Sequence, residues 1–126
     1  GDIGYAIQSY CERPYDYGVV RELVGHGLGK HLHEEPQVPN FGKRGRGVAL
    51  RDGLVIAIEP MINLGKKEVR QSPDGHTIIT KDGTPSAHYE HTIVVRKEKA
   101  DILSNHTIVE ENIKNNPEIR EISIKS

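Results

Sequence analysis

The chain has 126 residues, enough for one small domain around a single core. Seventeen basic and eighteen acidic residues nearly cancel, so the charge favours neither a membrane surface nor specific binding of nucleic acid. The one cysteine, Cys11, cannot close an internal disulfide, which points to a reducing, cytoplasmic compartment, and the longest purely apolar run, Leu54 to Ile58, is far too short to span a bilayer.

The first predicted element is a helix capped by Asp2. Ile3, Ile7, Tyr10 and Cys11 follow helical spacing with Ala6 on the same side, and Pro14 ends the run. Residues 13–18 read as a turn-rich linker. Val19 and Val20 begin an extended segment that leads into "VGHGLGKHLHEEP", residues 24–36. Residues 36–48, with Pro36, Pro39, Gly42, Gly45 and Gly47, read as a surface loop carrying Lys43, Arg44 and Arg46. A strand-rich region follows. "GLVIAIEPMIN" is an apolar run of strand length bounded by Gly53 and Pro60. "EVRQS" and "HTIITK" flank Ser72-Pro73-Asp74-Gly75, a strong turn signal, and Lys81 to Pro85 is a second turn. "SAHYEHTIVV" reads as one long strand and "DILS" as a short one. The tail from Asn105 is polar and poorly periodic, with Ile119, Ile122 and Ile124 spaced to dock loosely. The sum is an α+β chain, one helix ahead of an antiparallel sheet.

Two glutamates stand where carboxylates are costly. Glu59 ends the run Val55-Ile56-Ala57-Ile58, sharing a face with Val55 and Ala57 by period-two alternation, and Glu90 lies inside the last long strand. A strand carboxylate must be paired, protonated, bound to a metal or turned to solvent. Two of them plus a histidine from a glycine-rich segment suit a divalent ion with N and O ligands. Taken singly, each reads first as a solvated or ion-paired residue, and only the combination makes a metal site an even alternative. His31, His88, His91 and His106 read as surface or structural, and His76, just after a turn, as solvated. Gly25, Gly27 and Gly29 lack the spacing of either common nucleotide fingerprint.

"GHGLGKHLHEEPQVPN", then "IAIEPMIN" with "GKKEV", then "SAHYEHTIVV", in this order and at these intervals, closely resemble the type I methionine aminopeptidases. The resemblance covers residues 1–104 and leaves 105–126 as a polar C-terminal tail. It implies the C-terminal half of a pitta-bread fold, an antiparallel sheet with flanking helices around a dinuclear metal site. It implies removal of N-terminal methionine from nascent proteins by hydrolysis with two divalent ions, such as cobalt, manganese, iron or zinc. By motif, His26, Glu59 and Glu90 are the metal ligands, with Glu90 bridging both ions. Glu59 also accepts the proton of the attacking water. His33 contacts the scissile amide without binding metal. Leu32 and His76 stand where the family's methionine pocket carries an aromatic residue and a tryptophan.

The family's two aspartate ligands, and a further active-site histidine, have no counterpart in this sequence. Residue 1 is glycine and the only methionine is Met61. The resemblance therefore implies a piece of a longer enzyme, inactive alone, whose partners are the N-terminal peptides of nascent proteins and the missing N-terminal half. The alternative is a non-catalytic pitta-bread subunit that binds peptides or proteins; joint retention of His26, Glu59 and Glu90 argues against it.

Overall fold

The computed structural model describes residues 1–118. In chain order these form α1 (Asp2–Tyr15), β1 (Gly18–Val19), β2 (Gly25–Gly27), β3 (Glu34–Val38), β4 (Val55–Ile58), β5 (Met61–Asn63), β6 (Val69–Gln71), β7 (Ile78–Thr80), β8 (Ser86–His88), β9 (His91–Val94), β10 (Asp101–Ile102) and α2 (Thr107–Asn115). Three antiparallel sheets result: β10-β9-β4-β2-β3, β1-β5-β8 and the hairpin β6-β7. The core is small, with Val19, Val20, Val38, Ile56, Ala57, Met61 and Val94 buried, and α1 packs on β1. Among the described residues no helix is long and apolar enough to cross a membrane.

The first helix differs from expectation at both ends. Gly1, not Asp2, is the N-cap, and the Asp2 carboxylate instead accepts the Gly45 N–H at 3.2 Å, tying the 43–47 loop to the helix start. Pro14 lies inside the last turn. The helix stops at Asp16, whose left-handed backbone (φ 56°) lets its N–H reach Glu12 O and that of Tyr17 reach Cys11 O. That pair of bonds satisfies two carbonyls near the helix end. Ile3, Ile7 and Cys11 are partly covered, whereas Ala6 and Tyr10 face solvent. Gly4 is the buried residue of the helix, because any side chain there would strike the Phe41 and Pro39 carbonyls.

The two long runs each divide in two. "GLVIAIEPMIN" becomes β4 and β5, and "SAHYEHTIVV" becomes β8 and β9, with the halves in different sheets. Pro60 has no N–H to give to a ladder, which breaks the first run after Glu59. The register nevertheless continues across the gap. Val55 pairs with Val94 and Ile58 with His91; beyond the break Met61 pairs with His88 and Asn63 with Ser86. The Tyr89 N–H reaches the Pro60 carbonyl at 3.4 Å inside the interruption. The two sheets are thus bridged by one antiparallel ribbon, kinked at Glu59–Pro60 and Tyr89–Glu90.

Two further expectations change. The segment 36–48 is not loop throughout, since β3 extends to Val38. The tail contains a helix, α2, that buries none of its side chains, so the chain has two helices among the described residues. Ile119, Ile122 and Ile124 lie outside the described residues.

Candidate metal centre

The kink in the ribbon creates the site. Because one register runs through it, Glu59 falls directly opposite Glu90. Directly opposed residues in an antiparallel pair sit within about 5.5 Å at Cβ, and like charges there are destabilising. Glu90 is exposed and Glu59 half-buried, so solvent or a positive group can offset that repulsion. Two imidazoles approach. His26 Nε2 lies 3.2 Å from Glu59 Oε1, and His88 Nε2 lies 3.3 Å from Glu59 Oε2. Glu59, His88 and Glu90 each offer a ligand atom within 4.8 Å of the other two.

Each side chain arrives by a definite route. β2 lies between β3 and β4, and Gly27 pairs with Ile56, which sets His26 across from Ala57 and diagonal to Glu59. The glycines on either side of His26 are buried, and a Cβ at Gly25 or Gly27 would collide with the carbonyl of Ala57 or Glu35. On its other side β2 meets a bulge: Gly25 pairs with Val38 but Gly27 with Glu34, leaving the Pro36 region unpaired. Bulges of this kind re-aim side chains. Asn40, fully buried, directs its amide N–H groups to the carbonyls of Leu23 and Glu59 at 3.5 and 3.4 Å, joining the approach to β2 with the base of the site.

The hydrogen bonding of His26 tests whether a cation fits. Its Nδ1 lies 3.0 Å from the Gly27 carbonyl. A carbonyl only accepts, so Nδ1 carries the hydrogen, and in the neutral ring Nε2 presents a lone pair. That lone pair faces the Glu59 carboxylate, acceptor against acceptor. A divalent cation between them removes the conflict, and an N–H to a backbone carbonyl is the usual outer support of a metal-binding histidine. The donor set, imidazole and carboxylate, suits a divalent transition-metal ion.

The other residues singled out from the sequence divide. His33 ends the turn before β3, and its ring lies 4.3 Å from that of His26 at 59°. It is exposed, with its ring at the edge of the site. Leu32 beside it is 68% exposed. His76 sits in the β6–β7 turn, where its backbone N–H is held by Asp74 at 2.9 Å and its side chain is exposed. A cleft of about 290 Å³ next to His88 is lined by Val20, Leu23, Met61, Ile78 and Ser86 among others, and by neither Leu32 nor His76. His88 and Asn40 were not expected at the site. The signal for His88 was its place two residues before Glu90, on the same face of an extended segment; for Asn40 there was none beyond the loop motif itself.

A half-buried imidazole on β2 thus faces two opposed carboxylates and a second, exposed imidazole on the kinked ribbon, a donor set of the kind that can hold a divalent ion. Comparison with known proteins is specific: residues 1–97 match the profile of metallopeptidase family M24, and the chain belongs to that family. It is 51% identical over 104 residues to methionine aminopeptidase B of Synechocystis sp., covering 82% of this chain and 38% of that protein. It is 50% identical over 103 residues to the methionine aminopeptidase of Escherichia coli K12, covering 82% and 39%. The crystal structure of methionine aminopeptidase from Thermotoga maritima superposes with a TM-score of 0.79 at 47% identity, over 82% of this chain and 41% of that one. The Rickettsia prowazekii enzyme gives 0.78 at 47% identity, over 81% and 41%. The fold is thus part of the pitta-bread fold, and the chain spans about two fifths of the length of the relatives it matches.

Proposed function

We propose that this chain supplies the His26–Glu59–Glu90 side of a dinuclear metal centre that removes N-terminal methionine from newly made proteins in the cytoplasm. Residues 1–104 form the C-terminal half of the catalytic domain, and 105–126 are a tail outside it. The remaining ligands come from the part of the fold that lies outside the matched two fifths. One observation carries this reading: the register of the kinked ribbon opposes Glu59 to Glu90 while His26 faces the same carboxylate. When bound there, divalent ions supply Lewis acidity to the scissile carbonyl and make a water acidic enough to attack near neutral pH.

The chain's own residues divide the remaining work. Glu59, the most enclosed carboxylate of the site, takes the proton of the attacking water. His33, at the rim and free to turn outward, hydrogen-bonds the scissile amide and stabilises the developing tetrahedral oxyanion. The cleft beside His88, walled by Val20, Leu23 and Met61, receives the apolar side chain of the terminal residue. Leu32 and His76 close over that side chain from the turns that carry them.

The test is peptidase activity on a Met-Ala peptide with cobalt or manganese, for the chain alone and with the rest of the fold supplied in trans. The reading expects turnover only in combination. Robust turnover by the chain alone contradicts the division of ligands. Absence of turnover from a combined, metal-loaded assembly contradicts the assignment itself.

A further inference from the structure

His88 is the imidazole that the reading above leaves without a task. It is half exposed, with a side-chain accessibility of 51%, whereas His26 and Glu59 are each at 14%. Its position is not accidental. His88 pairs with Met61 in the β5–β8 ladder, which places it on the diagonal from Glu59 and two residues before Glu90 on the same strand segment. These two relations put its Nε2 at 3.3 Å from Glu59 Oε2 and one of its ring nitrogens within 4.8 Å of a Glu90 oxygen. Donor atoms at about 2.0–2.2 Å from a tetrahedral ion stand about 3.4 Å from one another. The His88–Glu59 separation has that value, on the opposite oxygen of Glu59 from His26.

We propose that His88 is itself a metal ligand, so that Glu59, His88 and Glu90 hold one divalent ion on the solvent side of the centre. The proposal rests on the metal-centre reading of Glu59 and Glu90. It gives this ion one imidazole and two carboxylates from a single chain, a donor set that favours zinc or cobalt over the all-oxygen preferences of magnesium or calcium. It also gives the exposed ion position a nitrogen donor of its own, since His26 is engaged with the other oxygen of Glu59. The exposure of His88 provides the route by which the ion enters and leaves.

The experiment is calorimetric titration of the 126-residue chain with Zn²⁺ alone, repeated for His88→Gln, Glu59→Gln, Glu90→Gln and the control His31→Ala. Circular dichroism accompanies each variant to establish that it is folded. In parallel, the side-chain ¹⁵N resonances of the wild-type chain are followed as Zn²⁺ is added. The proposal expects His88→Gln to weaken zinc binding, His31→Ala to leave it unchanged, and the His88 Nε2 resonance to shift to the metal-bound range; weaker binding without that shift marks an outer hydrogen-bond partner and overturns the proposal. If both glutamate variants lose zinc while His88→Gln binds as the wild type and the His88 resonance stays put, His88 is only a hydrogen-bond partner and the proposal is overturned with the metal centre intact. If neither glutamate variant changes zinc binding, the metal-centre reading itself falls, and the proposal with it.

Discussion

The two oxygens of Glu59 face different imidazoles, Oε1 that of His26 and Oε2 that of His88, while the carboxylate of Glu90 stands across the ribbon. This arrangement separates metal-loaded from metal-free behaviour. Glu90→Gln removes one of two opposed charges, so in the presence of a chelator the variant is more stable than the wild type by about 0.2–1 kcal/mol. The same substitution abolishes the stabilisation that added metal gives the wild type. Thermal melts with and without metal read both effects. In the assembled enzyme Glu90→Gln removes most activity. His33→Ala lowers turnover with metal content nearly unchanged; equal loss of metal in both variants would place His33 among the ligands. Glu59 and Glu90 were legible in the sequence because carboxylates inside apolar strand runs demand a partner. His88 was not, because its place two residues before Glu90 signals nearness to that glutamate only, and its nearness to Glu59 comes from the register of two segments far apart in the chain.

β2 is three residues long, and its glycines are what admit it between two neighbours. Gly25→Ala drives a methyl group into the Ala57 carbonyl, which forces β2 from β4 and moves His26 off Glu59. The expected cost is about 1–3 kcal/mol, measured as a lowered thermal midpoint, together with weaker metal binding. The β6–β7 hairpin is held differently. Hydrogen bonds from the Thr77 hydroxyl and then from the His76 and Thr77 backbone N–H groups lower the Asp74 pKa below its ordinary 3.8. Asp82 is lowered in the same way, first by the Lys66 backbone N–H and then by Thr84, which ties the β5–β6 loop to the turn before β8. A carboxylate whose folded pKa is depressed contributes stability that is complete above its unfolded value and is lost as pH falls through the folded one. Both turns therefore loosen below about pH 3.8. Amide exchange of His76, Thr77, Lys66 and Thr84, followed as the pH is lowered, rises in that window and is abolished as a pH effect in Asp74→Asn and Asp82→Asn. The Ser72–Gly75 turn was readable from Pro73, Asp74 and Gly75, each with its own turn chemistry. The break in the first run was signalled by Pro60, whereas the division of "SAHYEHTIVV" was not legible, since alternation continues through Tyr89 and only the pairing on either side reveals it. α2 was missed because the tail lacks a clear apolar periodicity, and in the structure none of its side chains is buried, Ile108 being 71% exposed and Val109 52%.

The molecule has a small core and a candidate site that opens to solvent at His88 and Glu90. Among the described residues seven apolar side chains make up that core, while Leu32, Val48, Leu50, Leu64, Ile102, Leu103 and Ile108 are exposed. A structure so lightly held gains visibly from anything that binds only the folded state. A divalent ion at 100 times its dissociation constant adds about 2.7 kcal/mol, so chelation lowers the melting temperature by several degrees, and Glu59→Gln removes the difference. The claim on which everything else depends is that a cation belongs between Glu59 and Glu90. The most direct measurement is an anomalous difference map from a crystal of this chain soaked in Mn²⁺. The account expects the strongest peak to lie within ligand distance of both carboxylates, with an imidazole nitrogen completing the contact. A fully soaked crystal whose manganese lies elsewhere, with Glu59 and Glu90 joined to each other or to His88 by hydrogen bonds alone, would contradict it.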